Sequence, residues 1–174
     1  MKVIMKTNLQ PTLSAISLWI ILLMLSGCGP TINIFSDVDD TGRFEQYKTY
    51  DFQEFSEGNK KTITGMELER LRVAFAREFE QRGFKYDDQY SDVSVKITVF
   101  HREASDASYG YAGAYNYMER AISVDMYDNQ TRTHVWHCAA VGELVYDPGA
   151  RAEELPDVVA RIFEKYPFDP AEGN

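Results

Sequence analysis

Three histidines, His101, His134 and His137, are the side chains of this sequence best suited to bind a transition metal ion. His134 and His137 lie three residues apart on a predicted strand. Because side chains alternate along a strand, this odd spacing places the two rings on opposite faces unless the strand is bulged. His134 and Cys138 share a face, but four residues of strand separate them by roughly 13 Å. The sequence therefore predicts no metal site, and we interpret the histidines as surface or edge residues beside Trp136.

Cys138 is the side chain whose chemistry would suit a covalent nucleophile. That role needs a nearby base and an electropositive pocket. Cys138 instead lies in residues 135–141, which have the composition of a core strand. The other cysteine, Cys28, belongs to a segment of different character near the N-terminus. We therefore predict that Cys138 is an unpaired, buried thiol.

Three acidic residues, Asp37, Asp39 and Asp40, resemble the start of a calcium-binding loop. Gly42 stands at the sixth position counted from Asp37, as such a loop requires. The twelfth position, however, is Lys48 rather than glutamate. The mismatch favours a solvated acidic turn.

The densest group of candidate binding residues lies in the stretch 105–117. Tyrosines alternate there with glycine and alanine: Tyr109, Tyr111, Tyr115 and Tyr117. Tyrosine offers a large contact area with only two side-chain torsions and keeps a hydroxyl for hydrogen bonds. Glycine lets the chain bend closely around a partner. We interpret the stretch as a candidate loop for a glycan, peptide or lipid headgroup. The alternative is a mobile connection whose rings fold over the sheet.

No established catalytic signature accompanies these residues. The GxSxG, HExxH and P-loop motifs are absent, and pairs of acidic residues are so abundant that no single pair can be nominated for glycosidase chemistry. The sequence predicts no catalytic residue and no cofactor beyond a covalent lipid. An enzyme stays open as an alternative, because function resides in sites rather than folds.

The first thirty residues have the composition of an export signal. Lys2 and Lys6 precede an apolar run at residues 13–25, shorter than the roughly 20 residues of a membrane span. The run ends in Leu25-Ser26-Gly27-Cys28, which resembles a bacterial lipobox. In proteins with that motif a peptidase cuts between the residues corresponding to Gly27 and Cys28, and the thiol carries a diacylglyceryl group. The alternative is an uncleaved N-terminal anchor.

Lipidation at Cys28 would determine the location. Two or more acyl chains attach a protein stably, at about 0.8 kcal/mol per buried CH₂. Gly29 follows the cysteine, whereas aspartate at that position commonly retains such proteins at the inner membrane. The sequence therefore predicts a lipid-anchored protein of the outer membrane, facing the periplasm. The net charge of −9 argues against nucleic-acid binding, because phosphate repels an acidic domain.

The elements that must position these residues follow from hydrophobic periodicity. Alternation and turn signals predict strands at residues 31–36, 47–52, 92–100, 117–127 and 133–145. Helical spacing predicts helices at 65–82, with Thr64 and Glu67 as a capping box, and at 155–166, with Pro156 in its first turn. The order β-β-α-β-β-β-α predicts an α+β fold: a mostly antiparallel sheet of about five strands with both helices on one face. The predicted parts are a signal peptide at 1–27, a lipidated cysteine with a short linker at 28–30, a domain at 31–168 and a disordered tail at 169–174.

Several short segments in this order resemble the DUF4136 family of bacterial lipoproteins. Beside the lipobox they are residues 47–52, Gly83-Phe84, residues 125–128, Val135-Trp136, residues 159–163 and Tyr166-Pro167. The resemblance runs from about Ile32 to Pro167. One departure is the turn at residues 129–132, where many members carry glycine and lysine. The resemblance implies a fold and a location but no activity.

The sequence is therefore compatible with two main classes of function. The first is a membrane-tethered, non-catalytic binding or scaffold domain whose partner is an envelope protein or peptidoglycan. The second is an uncharacterised envelope hydrolase, which predicts a pocket holding groups with displaced pKa values. A lipid-handling protein with a cavity between sheet and helices is a further alternative.

Overall fold

The computed structural model describes residues 32–56, 58–59, 63–106 and 115–168. They belong to a single compact unit of the chain. The lipobox with Gly27 and Cys28, the tyrosines Tyr109 and Tyr111, and the predicted tail at 169–174 lie outside the described residues.

One six-stranded sheet forms the framework of the domain. In chain order the strands are β1 (Asn33–Val38), β2 (Thr49–Phe52), β3 (Lys85–Tyr86), β4 (Val93–Asp106), β5 (Tyr115–Asp128) and β6 (His134–Glu143), and the helices are α1 (Gly65–Gln81) and α2 (Pro148–Phe163). Across the sheet the strands follow the order β1-β6-β5-β4-β2-β3. The pairs among β1, β6, β5 and β4 are antiparallel, whereas β2 runs parallel to β3 and β4.

The predicted α+β class is confirmed, with six strands in place of about five. The additional strand, β3, has only two residues and pairs with Thr49 and Tyr50 at the sheet edge. So short a segment carries no periodicity, and its pairing depends on where the end of α1 places it.

The hydrophobic core lies between one face of the sheet and the two helices. The alternating residues Val93, Val95, Ile97 and Val99 of β4 are buried. The predicted stripes of the helices cover them, with Phe75 and Phe79 from α1 and Ile162 and Phe163 from α2 among the buried residues. The opposite face of the sheet, called the outer face below, carries no helix in the described part of the chain.

Helix α1 begins as the sequence predicts. The Thr64 hydroxyl accepts a hydrogen bond from the backbone N–H of Glu67, which satisfies one free donor of the first turn. The other half of the predicted capping box differs, because the carboxylate of Glu67 accepts from Arg151 of α2. Gly83 has a φ of 82° after the last turn, a conformation that favours glycine.

The prediction for the start of the last helix was wrong. Helix α2 begins at Pro148, not at residue 155. The Asp147 carboxylate caps it by accepting from the Ala150 N–H at 2.7 Å, and Pro148 occupies the first turn, where its missing N–H costs nothing. Pro156 therefore lies inside the helix rather than in its first turn. In the sequence, Pro156 resembles a proline of a first helical turn, because the segment around the true cap, Asp147, has no apolar periodicity.

Candidate functional site

Tyr115 and Tyr117 lie on the first residues of strand β5 rather than in a loop. Their rings stack with centroids 5.8 Å apart, and the Tyr115 hydroxyl donates to Glu143 Oε1 at 2.9 Å. Glu143 ends β6, so this contact crosses the outer face of the sheet. The two described tyrosines of the predicted binding segment are thus held by regular strand structure.

The β4–β5 hairpin extends beyond the rest of the sheet. Strand β6 ends where Glu143 pairs with Glu119. Strands β4 and β5 continue for four further pairs, from Glu103↔Met118 to Asp106↔Tyr115, with which no third strand of the described chain pairs. These pairs, called the ribbon below, project by roughly 13 Å at 3.3 Å per residue. A groove of about 580 Å³ lies along the ribbon and is bordered by Tyr146, a ring that is 69% exposed.

The ribbon projects from the end of the sheet at which strand β1 begins. Asn33 pairs with Val141, Val141 pairs with Ala121, and Ala121 pairs with Phe100. The first residue of β1 therefore lies at the same end of the sheet as the ribbon, in a cross-strand row three residues before the ribbon begins.

A buried ionic cluster holds the two helices to the base of the ribbon. Glu67 of α1 accepts from Arg151 Nε of α2 at 2.9 Å and lies 3.5 Å from Arg120 Nη2 of β5. Burial alone would raise the pKa of Glu67, but the hydrogen bond and the charges of both arginines outweigh it, so the pKa is lowered. Burial, followed by the charge of Arg120, lowers the pKa of His101. The cluster is a structural clamp, and its carboxylate stays ionised at neutral pH.

A polar groove of about 940 Å³ lies at the opposite end of the sheet. The carboxylate of Asp128 is buried beside it and accepts from Arg43 Nη2 at 2.8 Å and from the Tyr47 hydroxyl at 2.9 Å. The backbone N–H groups of Gln130 and Thr131 donate to its second oxygen at 2.8 and 2.9 Å. This carboxylate closes the β5–β6 turn and anchors the loop after β1.

The same contacts exclude Asp128 from acid–base work at neutral pH. Burial raises the pKa of this carboxyl, but the hydrogen bonds from Arg43, Thr131, Tyr47 and Gln130 outweigh burial and hold the pKa well below its usual range. A general acid or base needs a pKa close to the working pH. The buried carboxylate beside this groove therefore has a structural role.

His134 and His137 point to the same face of the sheet, contrary to the expectation from strict alternation. The pairing of β5 with β6 shifts between Met126 and Tyr127, so that Tyr127 pairs with His134 while Met126 pairs with Trp136. The extra residue, Val135, is inward like Trp136, and both are 1% exposed. This bulge turns the two flanking histidines outward. The sequence indicates this bulge through Val135 and Trp136, two adjacent large apolar residues that a strictly alternating strand cannot bury on the same face.

The bulge brings both imidazoles to one carboxylate. Asp125 Oδ1 lies 2.7 Å from His137 Nδ1 and 3.2 Å from His134 Nε2. The three ligand atoms lie within 4.8 Å of one another.

Cys138 is a free, fully buried cysteine on the inner face of β6, which confirms the prediction of a structural thiol. Burial raises its pKa to about 11, so the thiolate is scarce at neutral pH.

In the acidic turn, Asp39 accepts from the Thr41 hydroxyl at 2.6 Å and from the Thr41 N–H at 2.7 Å. These hydrogen bonds, the side-chain one first, lower the pKa of Asp39. The Asp39 carboxylate therefore stabilises the turn in which it lies.

The architecture and these sites define an α+β domain with a helix-free sheet face and a projecting ribbon. The chain belongs to the DUF4136 family, a domain of unknown function, which matches residues 34–168. A comparison with curated proteins gives no match. Within the described ranges, neither helix is long and apolar enough to span a bilayer.

Solved structures share the fold at low sequence identity. A PDZ domain protein from Parabacteroides distasonis superposes with a TM-score of 0.57 and 15% identity, over 89% of this chain and 39% of that chain. The present chain therefore spans well under half of that protein. The PelC dodecamer subunit from Paraburkholderia phytofirmans superposes with a TM-score of 0.50 and 10% identity, over 76% of this chain and 95% of that one. At such identities the likeness concerns the fold alone.

Proposed function

We propose that this protein is an exported lipoprotein, anchored through acyl chains on Cys28 to the outer membrane and facing the periplasm. The observation that carries the proposal is Leu25-Ser26-Gly27-Cys28 at the end of a short apolar run that follows Lys2 and Lys6. The acidic domain would be repelled by anionic lipid, so the acyl chains supply the attachment.

In this proposal the domain is a non-catalytic binding module whose ribbon faces the membrane. Asn33 lies five residue steps after Cys28, a reach of at most about 18 Å. Asn33 begins β1 in a cross-strand row three residues before the ribbon. A lipid on Cys28 therefore draws that end of the sheet, with Tyr115 and Tyr117, toward the bilayer. The partner is an envelope protein or peptidoglycan within reach of the membrane surface.

Metabolic labelling tests the anchor. Cells producing the native chain, Cys28→Ser or Cys138→Ser are grown with radioactive palmitate. We expect label on the native chain and on Cys138→Ser but not on Cys28→Ser, because only Cys28 follows the lipobox. An unlabelled native chain, or a labelled Cys28→Ser chain, would overturn the proposed attachment.

Photocrosslinking in living cells tests the ribbon. A photoreactive amino acid replaces Tyr117, which lies on the ribbon, or Tyr90, which is 83% exposed and precedes the far end of β4. We expect a discrete adduct from position 117 and none from position 90. Digestion of the adduct with a muramidase or a protease then assigns the partner to peptidoglycan or to protein. Equal adducts from both positions would contradict a ribbon-specific partner.

A further inference from the structure

The outer face of the sheet carries a second group of side chains with a defined chemistry. We propose that His134, His137 and Asp125 form a binding site for a divalent transition metal ion of the zinc or copper type. The observation behind this proposal is the bulge at Val135, which places both imidazoles against one carboxylate oxygen.

The distances fit a single small ion. Bonds of about 2.0–2.1 Å in a tetrahedral arrangement leave neighbouring ligand atoms about 3.3 Å apart. His134 Nε2 is already 3.2 Å from Asp125 Oδ1, and it must give up its 3.1 Å contact with the Trp136 backbone oxygen to bind an ion. The 2.7 Å between His137 Nδ1 and the same oxygen must open by roughly half an ångström, which a side-chain rotation supplies.

Paired strands hold the three ligands in place. Asp125 and His137 are direct partners in the β5–β6 ladder, so their separation is set by backbone hydrogen bonds. The His134 ring stacks on Tyr127, with centroids 4.8 Å apart and planes 24° apart. A ring fixed by stacking loses little freedom on binding an ion.

The surroundings leave a fourth position and one opposing charge. Three protein ligands leave a fourth coordination position, which a water molecule can fill. Lys96 of β4 pairs with Asp125 across the ladder, and its positive charge disfavours a cation. Removing that charge should therefore tighten metal binding.

The ligand set selects the class of metal. Two imidazoles with one carboxylate suit zinc and copper, whereas magnesium and calcium prefer oxygen ligands alone. The site is therefore distinct from the acidic turn at residues 37–40, which the sequence offered as a calcium loop.

Titration with Zn²⁺ tests the proposal on the full chain, purified in detergent and stripped with a chelator. The variants are His134→Gln, His137→Gln and Asp125→Asn. The matched control is His101→Gln, which changes the one histidine outside the proposed site. We expect one ion per native chain and per control chain by calorimetry. Each ligand variant should lose at least about tenfold in affinity, and Lys96→Gln should gain about two- to fivefold.

Two further measurements separate metal binding from unfolding. Zn²⁺ should raise the thermal midpoint of the native chain and of His101→Gln but not of His134→Gln. Co²⁺ should give the visible absorption of a four-coordinate ion in the native chain but not in Asp125→Asn. No binding at 0.1 mM Zn²⁺, on the order of weak adventitious sites, would overturn the proposal. So would binding that survives all three ligand substitutions.

Discussion

Asp128 illustrates how a single residue joins distant parts of this fold. Its carboxylate receives hydrogen bonds from Arg43 and Tyr47, which lie 85 and 81 residues away in the chain. Buried charges of this kind are costly to leave unpaired, since losing one partner costs about 3–5 kcal/mol. The residue therefore governs stability without contributing chemistry.

Replacing Asp128 tests that role. We expect Asp128→Asn to lower the free energy of unfolding by about 3 kcal/mol at neutral pH, because the amide nitrogen that replaces one buried carboxylate oxygen cannot accept the hydrogen bonds donated to it. The difference in the free energy of unfolding between the variant and the native chain should become smaller below about pH 4. The pKa of Asp128 is lower in the folded chain than in the unfolded chain, where it is about 3.9. The stabilisation is therefore complete above that value and is lost as the pH falls below it. Urea denaturation between pH 3 and 7 measures both effects. Asp88→Asn, an exposed carboxylate of the same groove, is the control and should change little.

Cys138 gives a second prediction at the scale of the residue. In the Cys28→Ser chain it is the remaining thiol, and it is fully buried with a pKa of about 11. We expect a disulfide reagent such as DTNB at pH 8 to label the folded chain at least about a hundredfold more slowly than the urea-unfolded chain, because thiolate and access are both lacking. Fast labelling of the folded chain would show that this face of β6 opens in solution.

Among the secondary-structure elements, helix α1 shows how local signals determine boundaries. The Thr64 cap begins it, and Gly83 follows its end with a φ of 82°. An added Cβ at Gly83 or at Gly65 would meet no atom within 4 Å, so these two glycines differ in backbone conformation and not in space.

That pair allows a clean test of the helix end. Gly83→Ala should destabilise the domain by about 1 kcal/mol, because alanine resists a positive φ. Gly65→Ala, in the first turn, should instead be neutral or stabilise by up to about 1 kcal/mol, because it restricts the unfolded chain. Thermal unfolding monitored by circular dichroism measures both. Equal effects at the two positions would contradict the assigned left-handed conformation.

The described domain is arranged along one axis of the sheet. The ribbon, the clamp of Glu67 with its arginines, and the start of β1 lie at one end, and the groove beside Asp128 lies at the other. The candidate metal site lies on the outer face, closer to the groove end, since Tyr127 borders both. Under the proposed anchoring, a lipid on Cys28 would orient these two candidate surfaces differently with respect to the bilayer.

A substitution beside the anchor tests the proposed address of the molecule. In an enteric host the native chain, with Gly29 after the lipidated cysteine, should fractionate with the outer membrane. Gly29→Asp should move the chain to the inner membrane, because aspartate at that position commonly retains lipoproteins there. Sucrose-gradient fractionation with immunoblotting measures the distribution, and Thr31→Ser is a control that should not change it. An inner-membrane native chain would contradict the proposed location.

The sequence by itself determined the family, the α+β class and the burial of Cys138, because these depend on periodicity and composition along one segment at a time. The alternation at residues 93–99 and the stripe from Leu68 to Phe79 needed no knowledge of their partners. The start of α2 was missed because its cap at Asp147 lies in a segment without periodicity.

Only the tertiary structure decided which side chains meet across strands. The approach of His134 to Asp125, the clamp around Glu67 and the contacts of Asp128 all depend on strand register and on one bulge. A shift of a single residue turns a side chain to the opposite face of a sheet, so spacing in the sequence cannot specify such a site. Register is set by the packing of the whole core, which no local segment contains.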